Sequence, residues 1–581
     1  MNDIENTDMS TYASGNRRKS VRLNIVLAFF YLVFFGLVAR LFFLQIIKHD
    51  YYLDKSRDQL NRVIRLYPER GDILDRELNP IALTLPSTSS YLVPEKVKNK
   101  KIFVNEVSKI TGLSKPDLRS KVSSEQPFVW LVQKMPAEMT ESLKKLDMNA
   151  LGFIDVEKRT YPNSGLMSQV VGFVGVDNQG LGGLEYKFDK ELKGHEGMIM
   201  LEGDPLGRQL VFGKNKKVKK SDGKTIITTL DTTIQYVAEK HLKEGVALND
   251  AKGGVAIVLG AQTGEILAMV DEPGFDPNKW MSSESIDRKN GCITDVYEPG
   301  STLKVFTIMA AIEEKLVTPG TIIKVPETFM IAGHKVKEAH DREDGDVDEN
   351  TVTEILEKSL NVGTSLVAQK LGKDLLYTYL RRSGYGGVTG VSLPGESSGL
   401  LRKPSTWSGV DISMLSFGQG IAVTPLQLAA SLTIITNEGR LIKPRIIKGV
   451  MDADRRTLKA TRIKYGEQVV SKSTANKMKI IMKSIVENGT GKITKLDGIS
   501  SGGKTGTAQK AREDGRGYKK GAYIASFLGF FPIEDPKYII LVAVDEPKKS
   551  IWGSSVTGPI FKKIVQDIVD YTNMVPISTY P

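Results

Sequence analysis

The chain has a single cysteine, Cys292, among 581 residues. One thiol excludes an internal disulfide and any metal site built from several thiolates. Its setting reads as that of a small buried hydrophobe rather than a reactive thiol. Long apolar runs are equally scarce: only residues 23–47 reach membrane length. No internal repeat is visible. The net charge is +12, yet neither an aromatic stacking platform nor a recognition helix accompanies it. The excess of base therefore suits an anionic lipid or polymer and does not argue for nucleic acid. Its densest stretch, Lys214 to Lys220, reads as a solvated hairpin between two domains.

Residues 23–47 contain one charge, Arg40, close to the C-terminal end. From Ile25 onward the run would rise ~34 Å as a helix, against a hydrocarbon core of roughly 30 Å. Arg40 would snorkel to the outer interface. The run is too long for a signal-peptide core and lacks a small-x-small cleavage site, so it reads as an uncleaved anchor. Arg17, Arg18, Lys19 and Arg22 place the N-terminus in the cytoplasm. Lys48, Lys55, Arg57 and Arg62 nearly match them on the other side, so orientation also rests on long domains translocating regardless of loop charge.

Three short motifs follow in order: Ser301-Thr-Leu-Lys304, Ser359-Leu-Asn361 and Lys504-Thr-Gly-Thr507. The first pattern alone is close to noise, because Ser142–Lys145, Ser221–Lys224 and Ser501–Lys504 also fit it. The ordered triple is specific, and it resembles the active site of the penicillin-recognising acyltransferases.

Each member has a chemical task. Glu298-Pro-Gly300 reads as a turn and Thr302 to Lys315 as a buried helix starting there. Ser301 and Lys304 then share one face of its first turn. Desolvation would lower the lysine pKa and leave an amine that takes the proton of Ser301, making Ser301 the nucleophile and Lys304 the general base. Ser359 and Asn361 follow a short helix, Val352 to Lys358. They can point the same way while Leu360 packs inward, with Ser359 as proton relay and Asn361 holding a substrate carbonyl. Gly506 permits close backbone approach. An exposed strand there suits an extended peptide lying alongside it. Lys504, Thr505 and Thr507 could bind the substrate carboxylate, and the backbone N–H groups of Ser301 and Thr507 would form the oxyanion hole. Lys510 to Gly521 reads as a flexible stretch after it.

Longer segments narrow the resemblance. Thr294 to Lys304, Ser359 to Gly363, Phe417-Gly-Gln-Gly-Ile421 with Thr424-Pro-Leu-Gln427, and Lys504 to Ala508 are similar to a class B penicillin-binding protein. So are Arg70-Gly71-Asp-Ile-Leu-Asp75-Arg76, Tyr161-Pro162, Gly172-Phe173, Gly183-Leu-Glu185 and Leu192-Lys-Gly194 in the front half. Asn79 departs from that pattern, where glycine is commoner; asparagine also tolerates positive φ.

The resemblance implies an α/β (α+β) fold, with a central five-stranded antiparallel sheet between helices, preceded by a transmembrane helix and an extended mixed pedestal. It implies a serine-type peptidoglycan D,D-transpeptidase, most like the division-specific class, that needs no cofactor or metal. The alternatives are an elongation-type enzyme, a β-lactamase or a β-lactam sensor. The implied partners are peptidoglycan stem peptides, lipid-linked nascent glycan, β-lactams, the membrane, a SEDS-type glycosyltransferase and other divisome proteins. Arg70, Gly71, Asp75 and Arg76 form the pedestal motif through which the polymerase would be met. The implied location is the bacterial inner membrane, with the catalytic domain periplasmic. The expected segments are a tail at 1–22, the anchor at 23–47, the pedestal at 48–220 and the transpeptidase domain at 221–575, with no appended C-terminal module.

Two other patterns compete. Glu357-Lys-Ser-Leu-Asn361 matches the deacylating glutamate motif of class A β-lactamases, but it overlaps Ser359-Leu-Asn361 and cannot serve both. Asp344, Asp346 and Asp348, with His334 and His340 upstream, suggest a calcium loop. Its sixth and twelfth positions are Glu349 and Ile355 rather than Gly and Glu, so a solvated acidic loop is the better reading.

Overall fold

The structure, a computed structural model, describes residues 8–202, 216–338, 347–512 and 517–574. Two compact units divide the chain, one made of residues 1–68 and 195–221, the other of 69–194 and 222–581.

The first unit opens with a helix, Asp8–Phe42, that continues as a π-helical turn, Phe43–Ile47. Residues Val21–Ile47 are long and apolar enough to cross a membrane. Leu32 and Phe35 are 73% and 69% exposed, as expected where lipid rather than protein is the solvent. Arg40 sits over the Phe43 ring at 5.7 Å. Helix His49–Leu60 leads to strand Asn61–Leu66, which pairs antiparallel with Gly197–Glu202. Lys216–Val218, from the basic run, adds the third strand. Lys214 and Asn215 lie outside the described residues.

In the second unit, helix α1 (Thr232–Leu248) starts where Asp231 Oδ1 accepts the amides of Thr233 and Ile234. Strands β1 (Gly253–Gly260) and β2 (Ile266–Glu272) follow as a hairpin, with Gly264 at φ +65° in its turn. Helix α2 (Lys304–Glu313) is preceded by a 3₁₀ turn, Gly300–Thr302. Helix α3 (Asn361–Leu371) begins at the third residue of the second motif. Strands β3 (Gly502–Ala511), β4 (Tyr518–Phe531) and β5 (Tyr538–Asp545), then helix α4 (Gly553–Thr572), complete this layer. All five strands pair antiparallel in the order β2-β1-β5-β4-β3.

Strand periodicity assigns the two faces. Along β5, Ile540, Val542 and Val544 pack with α1 and α4 side chains such as Ile234, Leu242, Phe561 and Ile564. Ile539, Leu541 and Ala543 join the larger core that contains Phe306, Met309 and Val362. A strand covered on both faces reads as an unbroken apolar run, which is why β5 is so plain in the sequence. For the same reason α2 is apolar all round: residues Lys304 to Ile312 are buried without exception.

A second sheet contains Ile73–Leu74, Pro80–Leu92, Val129–Met135, Leu151–Thr160, Thr225–Thr228, Ile447–Met451 and Leu458–Ala460. Ile73–Leu74 pairs parallel with Thr225–Thr228, which pairs antiparallel with Ile447–Met451. Backbone hydrogen bonds thus run continuously from the segment after Arg70 to strands on the catalytic-motif side.

Candidate active site

Glycines let the turn carrying Ser301 press against β3. Gly300 adopts φ +55°, and a Cβ there would lie 2.9 Å from Thr507 O. A Cβ on Gly506 would lie 2.3 Å from Ser526 Oγ and 3.1 Å from Pro299 O. The Phe417–Ile421 stretch supports the turn from the other side: Gly300 N–H donates to Gly418 O at 3.2 Å. Gly420 N–H donates to Glu298 Oε1 at 2.8 Å, and Tyr518 OH donates to Glu298 Oε2 at 3.0 Å. Ser301 and Thr507 remain half-buried, at the mouth of this seam.

Lys304 is fully buried. Burial pushes its pKa down to about 7, with the charge of Glu338 acting in the opposite direction. Its Nζ donates to Ser359 O at 2.5 Å, to Asn361 Oδ1 at 2.7 Å and to Ser359 Oγ at 3.3 Å. Ser359 takes a left-handed backbone, φ +58°, a strained state for a non-glycine residue that functional sites often hold. Leu360 packs against the core, as alternation implies.

Lys504 is also fully buried. Burial, and then the neighbouring Lys304, hold its pKa well below the usual lysine value. Its Nζ donates to Ser359 Oγ at 2.9 Å and to Thr505 O at 3.2 Å. The Thr505 hydroxyl donates to Thr490 Oγ1 at 3.0 Å, while Thr507 Oγ1 accepts from Gly553 N–H at 3.2 Å. Among the described residues strand β3 has β4 on one side only and forms an edge of its sheet, so its other edge offers backbone groups to an added strand.

Lys304, Ser359, Asn361, Lys504, Thr505, Gly506 and Thr507 thus gather around the Ser301 turn. Arg70, Gly71, Asp75 and Arg76 lie apart from them, flanking strand Ile73–Leu74 of the second sheet. Arg70 and Arg159 clasp the buried Glu185: Arg70 Nε donates to Oε2 at 2.8 Å and Arg159 Nε to Oε1 at 2.7 Å. Tyr161 OH adds a bond of 3.2 Å to Oε1. Burial works against the charge of Arg70, but Glu185 and Asp189 outweigh it and raise its pKa. A Cβ on Gly71 would meet Lys224 O at 2.0 Å. Asp75 accepts the amides of Glu77 and Asn79 and the Thr232 hydroxyl. The Arg76 amide donates to Leu230 O at 2.9 Å. The left-handed residue of this turn is Leu78, φ +67°, and not Asn79. Asn79 instead bonds Asp75 Oδ2 through Nδ2 at 2.9 Å.

A further sequence expectation changes, that of the flexible stretch. The stretch after the third motif is mostly strand, since Gln509 pairs with Tyr523 and Ala511 with Tyr518; residues 513–516 lie outside the described residues. The competing Glu357 is occupied elsewhere, its carboxylate accepting the Ser484 hydroxyl. Of the acidic loop, His340, Asp344 and Asp346 lie outside the described residues, and Glu349 pairs with Lys324 at 3.4 Å. Among the described residues no cluster of three metal-ligating side chains occurs. Cys292 is buried, its thiol donating to Val270 O at 3.2 Å. Glu338 carried no sequence signal, because it acts on residues distant in the chain; Glu298 was legible as part of a turn, but its bonds to Gly420 and Tyr518 were not.

Comparison with known proteins agrees with this geometry. Residues 254–566 match the penicillin binding protein transpeptidase domain, and 65–228 match the penicillin-binding protein dimerisation domain. Stage V sporulation protein D of Bacillus subtilis is 32% identical over 94% of this chain and 85% of its own length. Peptidoglycan D,D-transpeptidase FtsI of Buchnera aphidicola is 31% identical over 96% of each. Penicillin binding protein 3 of Mycobacterium tuberculosis, solved with aztreonam, superposes with a TM-score of 0.70 at 27% identity, over 88% of this chain and 98% of that one. The chain belongs to the class B penicillin-binding proteins. Its activity is that of a serine-type peptidoglycan D,D-transpeptidase, and its apolar helix makes it a single-pass inner-membrane protein.

Proposed function

We propose that Ser301 is the nucleophile and Lys304 the general base. One observation carries this reading: the buried Lys304 amine, one turn beyond Ser301, is bonded to both polar residues of the second motif. Neutral Lys304 takes the proton as Ser301 Oγ attacks the penultimate D-Ala carbonyl of a stem peptide. The N–H groups of Ser301 and Thr507 stabilise the oxyanion. Collapse breaks the peptide bond, and the departing D-Ala nitrogen receives that proton through Ser359. An amine from a neighbouring stem then attacks the acyl-enzyme carbonyl; the ester bond to Ser301 Oγ breaks, the amine's proton returns through Ser359 and Lys304 to that oxygen, and the new amide is the cross-link. Lys504, Thr505 and Thr507 bind the terminal carboxylate, whose charge restores the Lys504 ammonium. Gly506 lets the Ser301 turn close on β3, along whose outer edge the peptide lies.

β-Lactams acylate the same serine. Similarity to FtsI favours a septal role, with the N-terminus cytoplasmic and the catalytic domain at 221–575 periplasmic on a pedestal at 48–220. A SEDS-type polymerase, other divisome proteins and lipid-linked nascent glycan are the partners this role calls for. Arg70, Asp75 and Arg76 would serve that contact indirectly, by holding the pedestal's shape. Fluorescent penicillin tests the assignment: S301A should stay folded and take no covalent label, and a labelled S301A would overturn it.

A further inference from the structure

Glu338 stands outside the three motifs, directly after strand His334–Lys337, and its residue is 9% exposed. Its carboxylate accepts the Asn361 amide at Oε2, 2.5 Å, and the Val362 amide at Oε1, 2.9 Å. These are the first two amides of α3, which have no partner within the helix. The N-cap residue, Leu360, has no side chain able to serve them. A carboxylate from another element does so, and its charge also suits the helix N-terminus. The neighbouring Lys337 O accepts Asn361 Nδ2 at 3.1 Å. With backbone and amide nitrogen both fixed, Asn361 Oδ1 is left directed at Lys304 Nζ, 2.7 Å away.

We infer that Glu338 is a positioning residue of the transpeptidase site, holding Asn361 on Lys304 and supplying the counter-charge for the buried Lys304 amine. The inference rests on Lys304 being the base. The groups facing Lys304 are the Ser359 hydroxyl and carbonyl and the Asn361 amide oxygen from the second motif, with Lys504 behind Ser359 on β3. Glu338 is the group whose negative charge opposes the effect of burial on Lys304. Burial alone would leave an amine too weakly basic to take a serine proton well; the carboxylate keeps it basic enough. Asn361 gains a fixed orientation from the same side chain.

The test is the rate of acylation by fluorescent penicillin, on the full chain in detergent, followed from about pH 5 to about pH 9 so as to bracket a shifted lysine. Wild type should rise along an acid limb as Lys304 loses its proton. E338Q keeps shape and one acceptor, and removes the charge. Its plateau should fall about tenfold and that of E338A about a hundredfold, the scale of a misplaced reacting group. Because Glu338 raises the Lys304 pKa, both limbs should also move to lower pH, each normalised to its own plateau. A helix cap with no part in the chemistry would lower rates or thermal stability and leave the limb where it was. An unmoved E338Q limb beside a clear wild-type limb therefore overturns the inference alone. Loss of the wild-type limb itself would overturn the Lys304 assignment, and the inference with it.

Discussion

Lys304 and Lys504 come from different motifs and share one hydrogen-bond partner, the Ser359 hydroxyl, at 3.3 and 2.9 Å. Both are fully buried, so two full positive charges there would be costly. Burial lowers both pKa values, and Lys304 lowers that of Lys504 further. Two like charges this close in a buried site disfavour protonating both amines at once. A proton can therefore pass between them through one hydroxyl.

Acylation should lose rate as pH falls through the Lys304 pKa of about 7. The sign follows from the depressed value: above it the amine is neutral and accepts the Ser301 proton, below it the ammonium cannot. K304R keeps a permanent charge and should cost ~10²–10⁴-fold, the usual worth of a general base. Stopped-flow acylation of both proteins across pH checks this; a flat wild-type profile through pH 7 would contradict it.

S359A removes the shared hydroxyl without new backbone strain, because Ser359 already holds φ +58°. Acylation should drop about tenfold to a hundredfold through the lost relay, with little change in melting temperature. S359G, which favours that φ, should acylate as slowly while unfolding no earlier. Wild-type acylation in either variant would exclude the relay.

G506A should fail by a different route. Its Cβ would lie 2.3 Å from Ser526 Oγ and 3.1 Å from Pro299 O, forcing the Ser301 turn off β3. Overpacking of this kind costs typically 1–3 kcal/mol. Thermal unfolding should show that loss, with a larger fall in acylation than in stability. Crystal structures of the variant with the turn unmoved would refute the explanation.

E185A leaves Arg70 and Arg159 buried without their shared carboxylate. Breaking such a cluster costs roughly 3–5 kcal/mol. Denaturant unfolding should register it, while the folded fraction still binds penicillin, since the side-chain partners Arg70, Arg159 and Tyr161 all lie outside the catalytic motifs. Stability equal to wild type would mean that the cluster contributes nothing net.

The β-lactam adduct should persist for hours. The one glutamate that fits a deacylating motif, Glu357, is held by Ser484. E357Q should therefore leave adduct lifetime unchanged by mass spectrometry; faster loss of the adduct in wild type than in E357Q would give Glu357 the hydrolytic role after all.

The amino-acid sequence by itself determined whatever is set by local burial and backbone chemistry. The apolar run at 23–47 marks the anchor because lipid demands an uninterrupted apolar helix. Asp231 announces α1, and the doubly covered β5 is legible as a solid hydrophobic stretch. The lysine inside an otherwise apolar α2 is a local contradiction, and such contradictions point to function. The tertiary structure decided what depends on pairing between distant segments. The glycine- and lysine-rich ends of β3 and β4 look like a loop until Gln509 meets Tyr523 across the hairpin. Asn79 looks like the left-handed residue of its turn until Asp75 engages its side chain and Leu78 takes the positive φ. Arg70 resembles a surface motif until Glu185 buries it. Glu338 reaches α3 from a different hairpin, and no period or composition encodes that meeting. Periodicity reports how each segment faces its core; only long-range packing fixes which side chains converge.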